Sequence, residues 1–466
     1  MEKVRIVSPI DGAIVAERPR MSDADLEAAL GRARAAQAGW AAVPIAERAG
    51  LCLAMLDAML AMKDELTIEL ARMMGRPVRY GGEMGGFAER TRHMATIAEA
   101  ALAPLEIEAS PASRRLIARE PLGLVLTIAP WNYPYLTAVN TVVPALIAGN
   151  AVILKAASQT LLAGERFAAA FARAGLPDGL FQNLVLGHAQ TEWLLQTRSV
   201  DHVTFTGSVE GGRSIERAAA GSFIGVGLEL GGKDPAYVRA DADLDHAIEN
   251  LVDGAFFNSG QSCCGIERIY VAESLLDRFV EGFVATTEAY VLDDPLQEAT
   301  TLGPMAQAKG ADLVREQTAA AVRAGARALI DPKRFARDGG PGSPWLAPQV
   351  LTSVDHQMAI MREESFGPVV GIMAVADDDA AVELMNDSAF GLTASIWTRD
   401  PDAAQALGAR LRTGTVFMNR CDYLDPALVW TGVKDTGRGQ SLSVLGYQAL
   451  TRAKSYHLRQ APRSVN

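Results

Sequence analysis

The chain of 466 residues is 49% hydrophobic and 21% charged, which suits a soluble globular protein of two or three domains rather than one core. Its 44 Lys and Arg against 55 Asp and Glu give a net charge of −11 with no basic block, which excludes nucleic acid as an expected partner. Four cysteines (Cys52, Cys263, Cys264, Cys421) without CxxC spacing, and histidines without ligand spacing, argue against a disulfide framework and a metal site. The opening MEKVRIVSPIDG has no apolar run after its charges, so no secretory signal is expected and the expected compartment is the reducing cytoplasm.

In chain order, Ser22 with Asp25 reads as a capping box opening an Ala-rich amphipathic helix. A second long helix is expected from Ala46 to Met74, with Cys52 in its core face. Leu105 to Arg119 alternates apolar and polar residues around Ser110-Pro111, the pattern of a two-stranded hairpin. The stretch from Pro121 to Leu154 carries no charge for 34 residues, long enough to suggest a membrane helix. Pro130, Pro134, Pro144, Gly149 and three asparagines break it, so it reads as strand, loop, helix and strand inside a core, with no membrane span. Between Leu124 and Leu230 the β-rich runs LVLTIAP, AVILKA, NLVLG, VTFTG and IGVGLEL alternate with Ala-rich helices. That alternation predicts a parallel sheet with helical crossovers, a Rossmann-type layer. A second α/β segment follows from about Gly231 to Asp425, and the expected fold class is therefore α/β.

Residues 256–271 read FFNSGQSCCGIERIYV, which presents Cys263 on a tight turn between a helix end and a strand. The glycine allows close backbone approach, and the N–H of the cysteine stays free to bind a developing oxyanion. A cysteine in such a run is, taken alone, more often inert packing. Companion motifs overturn that reading. PWNYP spans Pro130 to Pro134, GNAVILK Gly149 to Lys155, FTGSVEGG Phe205 to Gly212 and LELGGK Leu228 to Lys233. DPL and GPM follow between Asp294 and Met305, then EESFGPV at Glu363 to Val369 and NDSAFGL at Asn386 to Leu392. Together with FxNxGQxC, these motifs resemble those of the aldehyde dehydrogenase superfamily, in family order and over nearly the whole chain.

The resemblance implies an oxidoreductase that converts an aldehyde to a carboxylic acid with NAD(P). Cys263 would be the nucleophile forming a thiohemiacetal and then a thioester, with Asn132 donating to the oxyanion beside the Cys263 N–H. Glu229 would be the general base for hydrolysis; superfamily members that pass the acyl group to coenzyme A tend to lack it. Without the motifs, Asn132 reads as a turn residue and Glu229 as a solvated or capping residue. The implied architecture is a Rossmann-type NAD(P)-binding domain over 1–102 and 120–230, and an α/β catalytic domain over 231–425. Oligomerisation elements would fall at 103–119 and 445–463, with a C-terminal strand within Thr451 to Leu458, giving a homodimer or homotetramer.

A standard GxGxxG is absent; GGEMGG at Gly81 and TGRGQS at Thr436 neither follow a strand nor open a helix. The family places the pyrophosphate instead at Gly207 and Ser208, opening the helix with Gly212. Trp131 and Leu230 belong to the same implied cofactor set. Lys155 would reach the adenine ribose and Glu364 the nicotinamide ribose, with Phe366 beside the ring. Where NAD-strict members carry Glu three residues after that lysine, this chain has Ser158, which removes a repulsion toward a 2′-phosphate. The cofactor is therefore expected to be NADP or NAD. Tunnel walls by resemblance are Tyr133, Thr137, Asn140, Ser262, Cys264 and Trp430, while Cys421 is expected to line the substrate mouth. Members acting on succinate semialdehyde often have a basic residue where Asn140 falls, so an aliphatic or aromatic aldehyde is expected, with Arg420 a possible anion partner. A semialdehyde-specific dehydrogenase and a catalytically silent structural relative are the alternatives, and a cofactor-free cysteine hydrolase is a third, disfavoured by the cofactor motifs.

Overall fold

The computed structural model describes residues 2–110 and 112–459. Pro111 and the end of the expected tail segment, residues 460–463, lie outside them. Ser22 caps the first helix, Asp23–Trp40, as the sequence implies: its hydroxyl accepts from the Asp25 N–H at 3.1 Å and donates to the Asp25 carboxylate at 2.6 Å. The expected helix from Ala46 to Met74 is instead two, Ile45–Leu60 and Lys63–Met74. No Gly or Pro marks the break. Met62 leaves helical geometry at φ −101°, ψ 6° and is buried, so core packing makes a turn that local propensity does not announce.

A six-stranded sheet runs in the order Gly437–Arg438, Gly225–Glu229, His202–Thr206, Leu124–Ile128, Ala151–Lys155, Phe181–Asn183. All its pairs are parallel except that of Gly437–Arg438. The chain builds outward from Leu124–Ile128 to one side, then returns to build the other. The reversal between Leu124–Ile128 and His202–Thr206 is a topological switch point, where open α/β sheets bind ligands. The NLVLG run is not the strand expected of it. Pairing stops at Asn183, and Leu184 and Leu186 are buried in the core beyond the ladder. The uncharged stretch folds as read: a fully buried strand, a loop, the helix Pro134–Ile147 with proline in its first turn, and the strand Ala151–Lys155.

The second sheet has seven strands, in the order Arg327–Ala328, Gln349–Thr352, Val369–Val375, Ile266–Ala272, Asp234–Val238, Thr393–Trp397, Thr415–Met418. Its strand Ile266–Ala272, buried throughout, begins just after Cys263 and is the central strand of the seven. The expected hairpin is present as Leu105–Ala109 and Ser113–Pro121, and Thr451–Arg459 joins it antiparallel to make a three-stranded sheet. Among the described residues, no helix is long and apolar enough to cross a membrane.

Candidate active site between the two sheets

The helix Leu244–Phe256 delivers the chain to Asn258, Ser259 and Gly260, three successive residues in the left-handed region at φ 54°, 57° and 69°. Only Gly260 is free of a side-chain penalty there, and a Cβ on it would lie 2.3 Å from the Gly367 carbonyl oxygen. Side-chain amides hold the rest. Asn258 Nδ2 donates to the Gln261 carbonyl at 3.2 Å and Gln261 Nε2 to the Asn258 carbonyl at 3.0 Å. Gln261 Oε1 accepts from the Ala306 N–H at 2.9 Å, and Ser259 Oγ donates to the Gly303 carbonyl at 2.9 Å. Cys263 sits half-buried on the turn closed by the Gly265 N–H to the Ser262 carbonyl at 3.2 Å. Among the described residues, its own N–H has no acceptor.

Asn132 faces this turn from the other sheet, its Nδ2 donating to the Gln261 carbonyl at 3.1 Å. Two residues that the sequence reading missed hold it there. Arg76 donates through Nη2 to the Asn132 carbonyl and through Nε to Asn258 Oδ1 at 3.1 Å, and stacks 4.5 Å from the Tyr133 ring centre. Its Nη1 pairs with Glu83 at 2.7 Å, and the two side chains are 3% and 1% exposed. Glu83 Oε2 accepts the N–H groups of Tyr135 (3.0 Å) and Leu136 (2.8 Å), capping the helix that follows Asn132. Neither residue carries a motif of its own; only their burial identifies them.

A cavity of about 310 Å³ opens beside Cys263. It is lined by the expected Ser262, Cys264, Tyr133, Thr137, Asn140, Glu229, Leu230 and Trp430, and by three unforeseen charged residues, Glu89, Arg90 and Asp422. Burial pushes the Glu229 carboxyl above its ordinary value, while the Ser441 hydroxyl, donating at 2.6 Å, and the charge of Arg90 hold it down. Arg90, from the helix Met84–Leu102, is 7% exposed and donates through Nη1 to the Leu136 carbonyl at 2.6 Å and Asn140 Oδ1 at 3.2 Å. Its Nε and Nη2, and Asn140 Nδ2, have no protein acceptor among the described residues. Asp422 accepts from Cys264 Sγ at 2.8 Å and Ser262 Oγ at 3.0 Å, so it grips both neighbours of Cys263. The adjacent Cys263 and burial raise the Cys264 thiol well above its ordinary value, which leaves it a protonated wall residue.

Cys421 does not line the mouth. Its thiol donates to the Asn250 carbonyl at 3.5 Å and packs on Gly254, inside the catalytic half's core, because the left-handed Asp422 (φ 47°) turns the chain between them. Arg420 is likewise absent from the cavity lining and lies over the Tyr423 ring at 3.4 Å.

The residues expected to hold a dinucleotide gather at the switch point. Ser208 caps the helix Val209–Ala219, accepting from the Gly211 N–H at 3.2 Å. The N–H groups of Val209 and Glu210 find no acceptor among the described residues, an arrangement that suits a pyrophosphate. Gly212 serves helix packing, since a Cβ there would lie 2.6 Å from Leu230. Lys155 ends its strand mostly buried, its ammonium lowered by burial and by nearby Arg20, and Ser158 lies exposed at the next turn. Glu364 accepts the Gly232 N–H at 2.9 Å, and burial and the charge of Glu267 raise its carboxyl to about 7. A Cβ on Gly231 would meet that carboxylate at 2.4 Å, so the seat requires glycine. Phe366 meets Trp131 edge-on at 5.5 Å.

The aldehyde dehydrogenase family model matches residues 1–456. The chain belongs to the aldehyde dehydrogenase family. It is 35% identical over 457 residues to succinate-semialdehyde dehydrogenase [NADP(+)] of Mycobacterium avium, covering 97% of this chain and 96% of that one. It is 33% identical to succinate semialdehyde dehydrogenase [NAD(P)+] of Escherichia coli, with 94% of each covered. Among solved structures, an NAD-dependent aldehyde dehydrogenase from Sinorhizobium meliloti superposes with a TM-score of 0.93 at 33% identity, over 100% of this chain and 93% of that one. The succinic semialdehyde dehydrogenase of Streptococcus pyogenes, solved with NADP+, gives 0.93 at 26% identity, over 98% and 100%. The enzyme is an NAD(P)-dependent aldehyde dehydrogenase. Replacing Arg76 by Met leaves Glu83 a buried, unpaired carboxylate, which is expected to cost about 3–5 kcal/mol. Urea unfolding measures it, and an unchanged midpoint would refute the assignment.

Proposed function

We propose that this enzyme oxidises an ω-carboxy aldehyde of the succinate semialdehyde type, using NADP at least as well as NAD, and releases the acid by hydrolysis. The observation that carries the reading is the single cavity lined by Cys263, Glu229 and Arg90. The Cys263 thiolate adds to the carbonyl carbon, and the Asn132 amide and the Cys263 N–H donate to the oxygen that becomes negative. When bound, the nicotinamide supplies the hydride acceptor. Glu229 then takes a proton from water, whose oxygen attacks the thioester carbon and returns the thiol. Because burial raises Glu229, this base is lost as pH falls through a value above the ordinary glutamate range.

The substrate assignment departs from the sequence expectation. That expectation rested on the missing cation at Asn140, and the fold brings Arg90 to Asn140 from another helix, with donors to spare. A charge-assisted hydrogen bond to the distal carboxylate is worth about 1.5–3 kcal/mol. Arg90→Leu is therefore expected to lower kcat/KM for succinate semialdehyde by roughly 10- to 100-fold. Butanal should lose less, only what Arg90 contributes to Glu229 and Asp422, and equal losses on both substrates would refute the anchor.

Three further outcomes follow from the same reading. Cys263→Ala should abolish oxidation while Cys264→Ala keeps it. Glu229→Gln should release one equivalent of NAD(P)H per functional site and then stall; absence of the burst would place Glu229 before hydride transfer. Ser158→Glu should depress kcat/KM for NADP selectively, because a carboxylate about 4 Å from a 2′-phosphate costs on the order of a few kcal/mol; a parent enzyme already tenfold in favour of NAD would contradict this. The outer strands Leu105–Ala109 and Thr451–Arg459 leave open edges and expose Leu105, Ile107 and Leu458. They support a dimer or tetramer in which a neighbouring subunit covers them, and a monomeric mass by light scattering at micromolar concentration would refute that assembly.

A further inference from the structure

Glu267 has no part in the chemistry above, yet it is 4% exposed and stands four residues beyond the nucleophile, at the start of the strand Ile266–Ala272. Its carboxylate is fully engaged. Oε1 accepts from the N–H groups of Ser365 (3.2 Å) and Phe366 (3.0 Å). Oε2 accepts from the Ser365 N–H at 2.9 Å and forms an ion pair with Lys233, which is 1% exposed. Lys233 also donates to Ser365 Oγ at 3.1 Å.

Three segments converge on this pair. Lys233 follows Gly231 and Gly232, which seat the Glu364 carboxylate, and a Cβ on Gly232 would lie 2.2 Å from the Cys263 carbonyl oxygen. Glu267 belongs to the segment of Cys263. Ser365 and Phe366 directly follow Glu364, and Gly367 packs on Gly260 of the nucleophile turn. Phe366 is held at φ 50°, a conformation that bulky side chains rarely adopt and that persists only where surroundings impose it. Burying two charges is expensive, and an apolar pair of similar volume would hold the core at least as well. What the ion pair adds over an apolar pair is direction: it aims a carboxylate at two backbone donors.

We propose that Glu267 is a positioning residue for the cofactor: by binding the Ser365 and Phe366 N–H groups and Lys233 it locks the turn bearing Glu364 and Phe366 to the Cys263 segment. The assignment rests on the reading of Glu364 as the nicotinamide ribose ligand. It makes nucleophile and hydride acceptor one rigid unit, so that the distance between them is set without a contact from Glu267 to either.

The test is a fluorescence titration of Glu267→Gln with NADPH, without aldehyde, alongside KM for NADP and the rate at which iodoacetamide modifies Cys263 in the cofactor-free protein. The dissociation constant and KM for NADP are expected to rise at least tenfold, while alkylation stays within twofold of the parent. The pH below which NADPH affinity is lost should also move down. The groups facing Glu364 are the Glu267 charge, which raises its carboxyl, and the Gly232 N–H and Lys233, which lower it. Removing Glu267 leaves burial alone to raise it against the latter two, so the value falls; general loosening would lower it as well but would also speed Cys263 alkylation, which is why the two are read together. A folded Glu267→Gln that binds NADPH within twofold of the parent overturns the proposal. If that variant does not fold, Lys233→Met with Glu267→Gln removes both charges, and the same titration with the same two outcomes applies. Failure of both to fold also overturns it, since the pair would then be a folding element. Glu364→Gln separates the two readings: undiminished NADPH affinity there refutes the ribose role of Glu364, whatever Glu267 does.

Discussion

The site depends on one buried ion pair, Arg76 with Glu83. Placing two charges where the side chains are 3% and 1% exposed is tolerable only because each guanidinium nitrogen and each carboxylate oxygen has a partner. Glu83 satisfies the first turn of the helix Pro134–Ile147, and Arg76 satisfies the Asn132 carbonyl and the Asn258 amide oxygen. Asn132, the proposed oxyanion donor, and the turn bearing Cys263, which come from different sheets, are therefore referred to the same guanidinium. Neither can shift without stranding a charge.

Electrostatics in the cavity follow a related economy. Glu229 and Asp422 are both pushed upward by burial; Arg90 opposes this for each, joined at Asp422 by the stronger pull of Arg76. A single arginine thus helps set the working range of the proposed base, steadies the carboxylate that holds Ser262 and Cys264, and still has donors free. A substrate carboxylate arriving at those donors would complete the charge balance rather than upset it.

Much of this was legible in the chain. The short β-rich runs and their Ala-rich spacers pointed to the cofactor sheet, because a buried parallel strand must be apolar along its length. Cys263, Glu229, Asn132 and Glu364 were legible only through the family motifs that carry them, since alone they read as packing, turn or capping residues. Arg76, Glu83, Arg90 and Asp422 were hidden for the opposite reason. A buried charge is recognisable only by the groups that compensate it, and apart from the Arg76–Glu83 contact, seven residues apart, those groups lie tens to hundreds of positions away in sequence. Met62 and the NLVLG run show the same limit: apolar residues record burial, but not whether the backbone is turning or pairing while it is buried.

The short strand Gly437–Arg438 carries a consequence for how the two halves are joined. It pairs antiparallel with Gly225–Glu229, the strand ending in Glu229, and Thr436 beside it accepts the Leu230 N–H and donates its hydroxyl to the Gly231 carbonyl. The chain thus crosses from the cofactor half into the catalytic half and back again before its tail. The halves are stitched like a seam sewn in both directions, not strung on one thread. A cofactor half cut away on its own would expose the edge of the strand on which Glu229 stands, so that half is complete only with the segment that returns to it.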